Sequence, residues 1–324
     1  MIWLWLGFTA LVVLLLVLDL GVFHRHAHEV SIREAGFWTA IWITLGLSFS
    51  GIVYLIYDQH WFGATLGSGA HGAPQNASDA ALSYVTGYVL EKSLSVDNIF
   101  VISMIFRSFR VEPRYRHRVL FWGIIGAIVL RATMILGGAW LASRFSWIFY
   151  IFGVYLAYTG LKLLREDDEM DPEKSAFIRI ARRLLPVARQ DHGVHLVARE
   201  DARWKVTRLG LVLVAVEGTD VIFALDSIPA ILAITTDSFI VFTSNIFAIL
   251  GLRSLYFILE GMMGRFRHLK VALAFVLMFI GAKMLLHSVY QLDNFVSLGV
   301  ILGSVSVGVL SSLLLEKKST TPDP

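Results

Sequence analysis

Five carboxylates stand inside long apolar stretches: Glu91 and Asp97 in one, and Glu217, Asp220 and Asp226 in another. Even on a lenient scale, a charge at the centre of a bilayer costs roughly 2.5–3.5 kcal/mol. Such residues therefore need partners or a purpose. The amide of Asn98 and the hydroxyl of Ser227 directly follow two of the acids. Carboxylate, amide and hydroxyl oxygens form a hard-ligand set, suited to Mg²⁺, Ca²⁺ or Mn²⁺. Neither acidic stretch contains histidine, and the chain has no cysteine, which disfavours soft ions and an ordinary zinc site. Against these five central acids stand five cations inside the apolar stretches: Lys92, Arg131, Lys162, Arg253 and Lys283. On one reading these charges only hold helices together, with Lys162 snorkelling to an interface. On the other, the acids bind a cation, and Arg131 and Arg253 neutralise them when they are empty.

Helical geometry limits the second reading. Residues six apart differ by about 240° around a straight helix and about 9 Å along it, so Glu91 and Asp97 cannot both point at one ion. Glu217 and Asp220, three apart, can share a face. Pro229 frees the carbonyl of Leu225 and is expected to kink or open the helix beside Asp226. The site expected from these spacings has Asp97, Asn98, Asp226 and Ser227 nearest the ion, with Glu91, Glu217 and Asp220 beside it or along its path. Asn245 is a further ligand or, alternatively, a helix–helix hydrogen bond.

The elements that carry these residues are long and apolar. The chain has 324 residues, 56% hydrophobic and 16% charged. A soluble domain carries about a quarter charged residues. A spanning helix needs roughly 20 mainly apolar residues. The sequence offers nine such stretches, near residues 2–23, 36–57, 80–106, 119–142, 147–164, 209–233, 239–261, 271–289 and 295–315. The expected fold is an all-α polytopic membrane protein of about nine transmembrane helices, a single membrane domain over residues 1–324. The first stretch lacks a basic leader and a small-residue cleavage site, and reads as a retained helix. Alternate loops hold 22 Lys and Arg against one, Arg144, in the others. The positive-inside rule then places the N-terminus outside and the C-terminus in the cytoplasm.

Three correspondences in the same order reveal an internal repeat. Glu91, Asp97, Asn98 and Ile99 match Asp220, Asp226, Ser227 and Ile228. Ala127 to Arg131 echoes Ala248 to Arg253, and Gly160-Leu-Lys162 echoes Gly281-Ala-Lys283. Residues 80–164 form the first repeat, 165–208 a cytoplasmic loop and 209–290 the second repeat. Three spans is an odd number, so the second copy enters from the opposite side. Inverted repeats of this kind are an architecture of secondary transporters, with the substrate site near the midplane.

The remaining polar features are less specific. Residues 173–185 read as a basic amphipathic helix, either on the anionic inner leaflet or in solvent. Residues 195–198 and 204–207 could pair as a short hairpin. Asp19 either lines a pathway or sits at the interface beside His24, and His24, His26 and His28 either collect metal ions or are a solvated loop. Asn76-Ala77-Ser78 is a glycosylation sequon by pattern alone. The net charge of +3 is small and follows membrane topology, which argues against nucleic-acid binding.

The segments from Gly87 to Phe100, from Val216 to Ala230, from Thr243 to Arg253 and from Phe279 to Lys283 resemble the TerC family of membrane proteins, closest to its Alx-like branch. The resemblance extends from about Asp19 to about Gly303. It implies a multi-pass protein of the bacterial inner membrane, in the LysE-related transporter superfamily, and a transporter, not an enzyme. It implies Mn²⁺ export, with Mn²⁺ as cargo and no permanently bound cofactor. The partners expected are the divalent ion and the lipid bilayer. The family's older labels suggest a membrane-bound redox modulator or a tellurite-resistance accessory protein instead. A scaffold acting through its loops is a third possibility.

Overall fold

The computed structural model describes residues 2–21, 31–63, 66, 73–145, 147–165, 183, 186–188, 193–200, 203–260, 267–286 and 292–319. Among these, ten α-helices account for nearly all the structure. They are α1 (Ile2–Gly21), α2 (Ile32–Asp58), α3 (Ala77–Ser108), α4 (Pro113–Arg144), α5 (Ile148–Arg165), α6 (Arg208–Leu232), α7 (Ser238–Leu250), α8 (Leu252–Glu260), α9 (Arg267–Leu286) and α10 (Asn294–Ser319). The protein is an all-α polytopic membrane protein. Among the described residues, six helices are long and apolar enough to cross a membrane, or seven if α7 and α8 are one bent span. The acid-bearing α3 and α6 are not among them. Each sequence stretch predicted to span coincides with a helix, except that the seventh is the α7–α8 pair, bent by 44°.

The helix starts are written in the sequence. Ser31, Asn76, Thr207 and Asp237 each accept a hydrogen bond from a backbone N–H of the first turn that follows. Asn76, the sequon residue, is thus the N-cap of α3. Pro113 opens α4, where its missing N–H costs nothing.

Large apolar side chains face outward, among them Val129, Trp140, Val154, Val307 and Leu310, while Glu91, Asn98, Arg131, Asn245 and Arg253 are buried. A lipid-facing exterior around a polar centre is the arrangement a bilayer favours. Phe8, Phe49, Tyr84, Phe239 and Phe247 interlock α1, α2, α3 and α7.

Helices α5 and α9 pack most closely. A Cβ on Gly160 would stand 2.7 Å from the Ala274 carbonyl oxygen and 2.8 Å from Met278. A Cβ on Gly281 would stand 2.7 Å from the Gly153 carbonyl oxygen and 2.8 Å from the Ala157 nitrogen. Glycine is required where two backbones approach this closely.

The predicted hairpin forms. Strands β1 (Val197–Glu200) and β2 (Arg203–Val206) pair antiparallel, with Val197 opposite Val206. It rests on the start of α6: Thr207 Oγ1 donates to the His195 carbonyl at 2.6 Å, and Gly210 lies against the Leu196 carbonyl with no room for a Cβ. His24, His26 and His28, and nearly all of residues 173–185, lie outside the described residues.

Candidate functional site

Arg131 is the centre of the buried polar network. Its side chain is 1% exposed and reaches from α4 to three other helices. One guanidinium nitrogen donates to Glu91 Oε1 on α3 and to Asn245 Oδ1 on α7, the latter at 2.9 Å. The other two donate to Asp220 on α6, at 2.8 and 3.1 Å. Asn245 Nδ2 donates in turn to Glu91 Oε2 at 3.1 Å. Asn245 therefore makes the helix–helix hydrogen bonds that its type allowed. A planar guanidinium suits this role because its donors fan out in fixed directions.

One direct contact between α3 and α6, and bridges at their two ends, set their register: Asn294 of α10 ties the start of α3 to the turn after α6, and Arg208 of α6 reaches the C-cap of α3. Asn294 Nδ2 donates both to Ser83 Oγ and to the Ile234 carbonyl. Gly87 lies against Ile231, and Arg208 donates to the Phe109 carbonyl. The two helices are therefore antiparallel. Eight residues in from the Ser83–Ile234 level, Glu91 comes opposite Asp226. Twelve residues in from the Phe109–Arg208 level, Asp97 comes opposite Asp220. The acids form two tiers about 9 Å apart. Asp97 and Asp226 thus stand at different levels and do not surround one point, as the spacing alone had suggested.

The other predicted ligands lie on the same two helices. Glu217 packs against Gly126 of α4, which has no room for a Cβ, and its Oε2 is buried without a hydrogen-bond partner. Asn98 Oδ1, Asp226 Oδ1 and Ser227 Oγ are likewise buried and unpartnered. Asn98 is 4% exposed and Ser227 2%. Among the described residues, no three Asp, Glu or His side chains stand close enough together to hold a metal ion. The unpartnered oxygens are nevertheless of the type that hard cations take.

The cations have separate places. Lys92 Nζ donates to the Ala248 carbonyl at 3.1 Å, beside Gly251 at the α7–α8 bend. Lys162, with Tyr155 and Thr159 of the same helix, faces Asp226. The spacing of these three, one helical turn apart, was readable, although only Lys162 stands out as a charge. Lys283 donates to Asn294 Oδ1 at 3.1 Å and Ser297 Oγ at 2.8 Å, joining α9 to α10.

Arg253 differs from its counterpart Arg131. It donates to Asp19 Oδ1 at 2.6 Å and lies 3.0 Å from His117 Nε2. Asp19 therefore belongs to a buried ion pair linking α1 to α8. His117 was not expected from the sequence, because it lies in a run of basic residues at the start of α4. Pro229 does not interrupt α6, which continues to Leu232. The helix ends within one turn, so few hydrogen bonds beyond the proline are at stake.

The comparisons agree with this architecture. Residues 76–320 match the family described as integral membrane protein TerC. The chain belongs to the TerC family. The uncharacterized membrane protein STKORF319 of Myxococcus xanthus is 46% identical over 99% of this chain and 95% of its own length. A protein of Escherichia coli K12 named "Putative membrane-bound redox modulator Alx" is 44% identical over 93% of this chain and 91% of its own. A membrane protein of Rickettsia bellii is 37% identical over 96% of this chain and 97% of its own. No solved structure matches significantly. The matched range contains Glu91, Asp97, Asn98, Glu217, Asp220, Asp226, Ser227, Asn245 and Arg253.

Proposed function

We propose that this TerC protein exports a hard divalent cation, Mn²⁺ first, across the bacterial inner membrane. The observation that carries this reading is the set of buried, unpartnered oxygens on α3 and α6. Glu217, Asn98, Asp226 and Ser227 each present a buried oxygen without a partner. Desolvating such groups with no ligand costs free energy, and a cation in transit offsets that cost. The ion would enter from the end at Phe109 and Arg208, the cytoplasmic end by loop charge, and leave toward Ser83 and Ile234.

An inverted repeat supports the same reading. The step along the chain from Gly160 to Gly281 also carries Gly153 to Ala274 and Ala157 to Met278. The contacts of Gly160 are therefore repeated, helix for helix, by those of Gly281. Likewise α3 packs on α7 as α6 packs on α4. A pseudo-two-fold relation of the halves would give alternating access a structural basis.

The test is cell-associated manganese under manganese load in a strain lacking its own exporters. Wild-type protein lowers it, and Asp226→Asn or Asp97→Asn does not. A variant that lowers it like wild type overturns the site assignment.

The relatives' names favour a redox role as a second reading. A thiol mechanism has no residue to act with, because the chain contains no cysteine. An absorbance spectrum of protein purified from its native membrane tests for a redox cofactor directly.

A further inference from the structure

We propose that the centre is a two-tier ladder for the cation, in which Arg131 is a tethered competitor of the ion. It holds Glu91 and Asp220 when the ladder is empty and yields them as the ion passes from the Asp97–Asp220 tier to the Glu91–Asp226 tier. This rests on the transport reading above and adds an exchange step to it.

Four observations carry the inference. First, the register fixed by Ser83–Ile234, Gly87–Ile231 and Phe109–Arg208 puts one acid from each helix into each tier. The sequence repeat exchanges the two tiers, taking Glu91 to Asp220 and Asp97 to Asp226. One acid from each helix thus stands at each of two depths, not all at one.

Second, Arg131 takes one acid from each tier, Glu91 from one and Asp220 from the other. Its guanidinium therefore bridges the two levels, and an ion passing from one to the other would compete with it for both carboxylates. An isolated divalent ion there would meet a fixed positive charge, and it can advance only by replacing that charge at the carboxylates. The other cations near the tiers are held from the side. Lys92 is directed to the Ala248 carbonyl, and Lys162 stands beside Asp226 on α5.

Third, the tiers carry unused oxygens. Asn98 Oδ1 adjoins Asp97, Ser227 Oγ adjoins Asp226, and both are buried and unpartnered. A purely structural ion-pair network is expected to satisfy such atoms.

Fourth, the symmetry is broken at the arginine. Arg253, the repeat counterpart of Arg131, is turned away to Asp19 and His117. The second half has one more residue between Ala248 and Arg253 than the first has between Ala127 and Arg131, and that residue falls at the α7–α8 bend. One arginine therefore serves two tiers. Two would neutralise the ladder permanently.

The experiment measures Mn²⁺ affinity of purified protein in lipid nanodiscs, from the spin-resonance signal of free Mn²⁺, together with Mn²⁺ flux in liposomes. Arg131→Gln removes the competitor, so affinity rises at least tenfold and flux falls at least tenfold, because the ion is no longer displaced on departure. Arg131→Lys keeps a charge but loses the two-tier fork, and its affinity rises severalfold. It serves as the test if the glutamine variant does not fold. Wild-type protein that carries Mn²⁺, with unchanged or weakened affinity in Arg131→Lys, overturns the competitor role and leaves the transport reading standing. Wild-type protein that neither binds nor carries Mn²⁺ overturns both.

Discussion

Arg131 on α4 donates two hydrogen bonds to Asp220 on α6, at 2.8 and 3.1 Å, while two more cross to Glu91 on α3 and Asn245 on α7. Breaking a buried pair by removing one partner leaves an uncompensated charge and costs about 3–5 kcal/mol. Arg131→Met is therefore expected to lower the thermal unfolding midpoint of detergent-solubilised protein strongly, and Arg131→Lys by less. An unchanged midpoint in Arg131→Met would show that the network contributes no net stability.

The α5–α9 crossing should be the least tolerant part of the bundle to added volume. Gly281→Leu pushes a side chain into the Gly153 carbonyl, and overpacking of this kind costs about 1–3 kcal/mol or more. Gly51→Ala serves as the control, because nothing lies within 4 Å of a Cβ there. Thermal unfolding of both should separate them clearly, and equal midpoints would argue that the two helices can move apart.

Asp19 and Arg253 fasten α1 to the bent α7–α8 segment. Asp19→Asn leaves Arg253 with His117 and the neutral amide, so its destabilisation should be about 1–3 kcal/mol. Proteolysis of protein in membrane vesicles should then cut faster in the connection after α1. Wild-type cleavage rates would mean that the pair does not hold α1 in place.

Much of this was legible in the sequence, for identifiable reasons. Apolar length alone located the helices, because a bilayer imposes both composition and span. The repeat then singled out the two acid-bearing helices, because Glu91 and Asp97 match Asp220 and Asp226. The hairpin after residue 195 and the capping residues were also readable from local chemistry. The partner of Arg131 was not, because spacing along one helix gives an angle and a height but no neighbour. Only the register between α3 and α6 shows that Asp97 stands level with Asp220 and Glu91 level with Asp226.

Two local features moved relative to expectation. Pro229 suggested an opened helix beside Asp226, yet α6 passes through it and ends within one turn. The interruption lies instead at Gly251, between α7 and α8, where a Cβ would meet Trp42 at 2.8 Å and the Lys92 amine at 2.9 Å. The extra residue between Ala248 and Arg253 was visible in the repeat. One added residue turns a helix by about 100°, which is enough to send Arg253 to Asp19 and not to the centre.

Flux through protein alone in a bilayer bears on the proposed function without intermediaries. Purified protein is reconstituted into liposomes containing a dye quenched by Mn²⁺, and quenching is followed after Mn²⁺ is added outside. Wild-type protein should quench the dye well above protein-free liposomes, and Asp97→Asn and Asp226→Asn, inserted at equal density, should be slower by at least tenfold. Wild-type quenching no faster than that of protein-free liposomes, or full flux in Asp226→Asn, would contradict a carboxylate ladder for Mn²⁺.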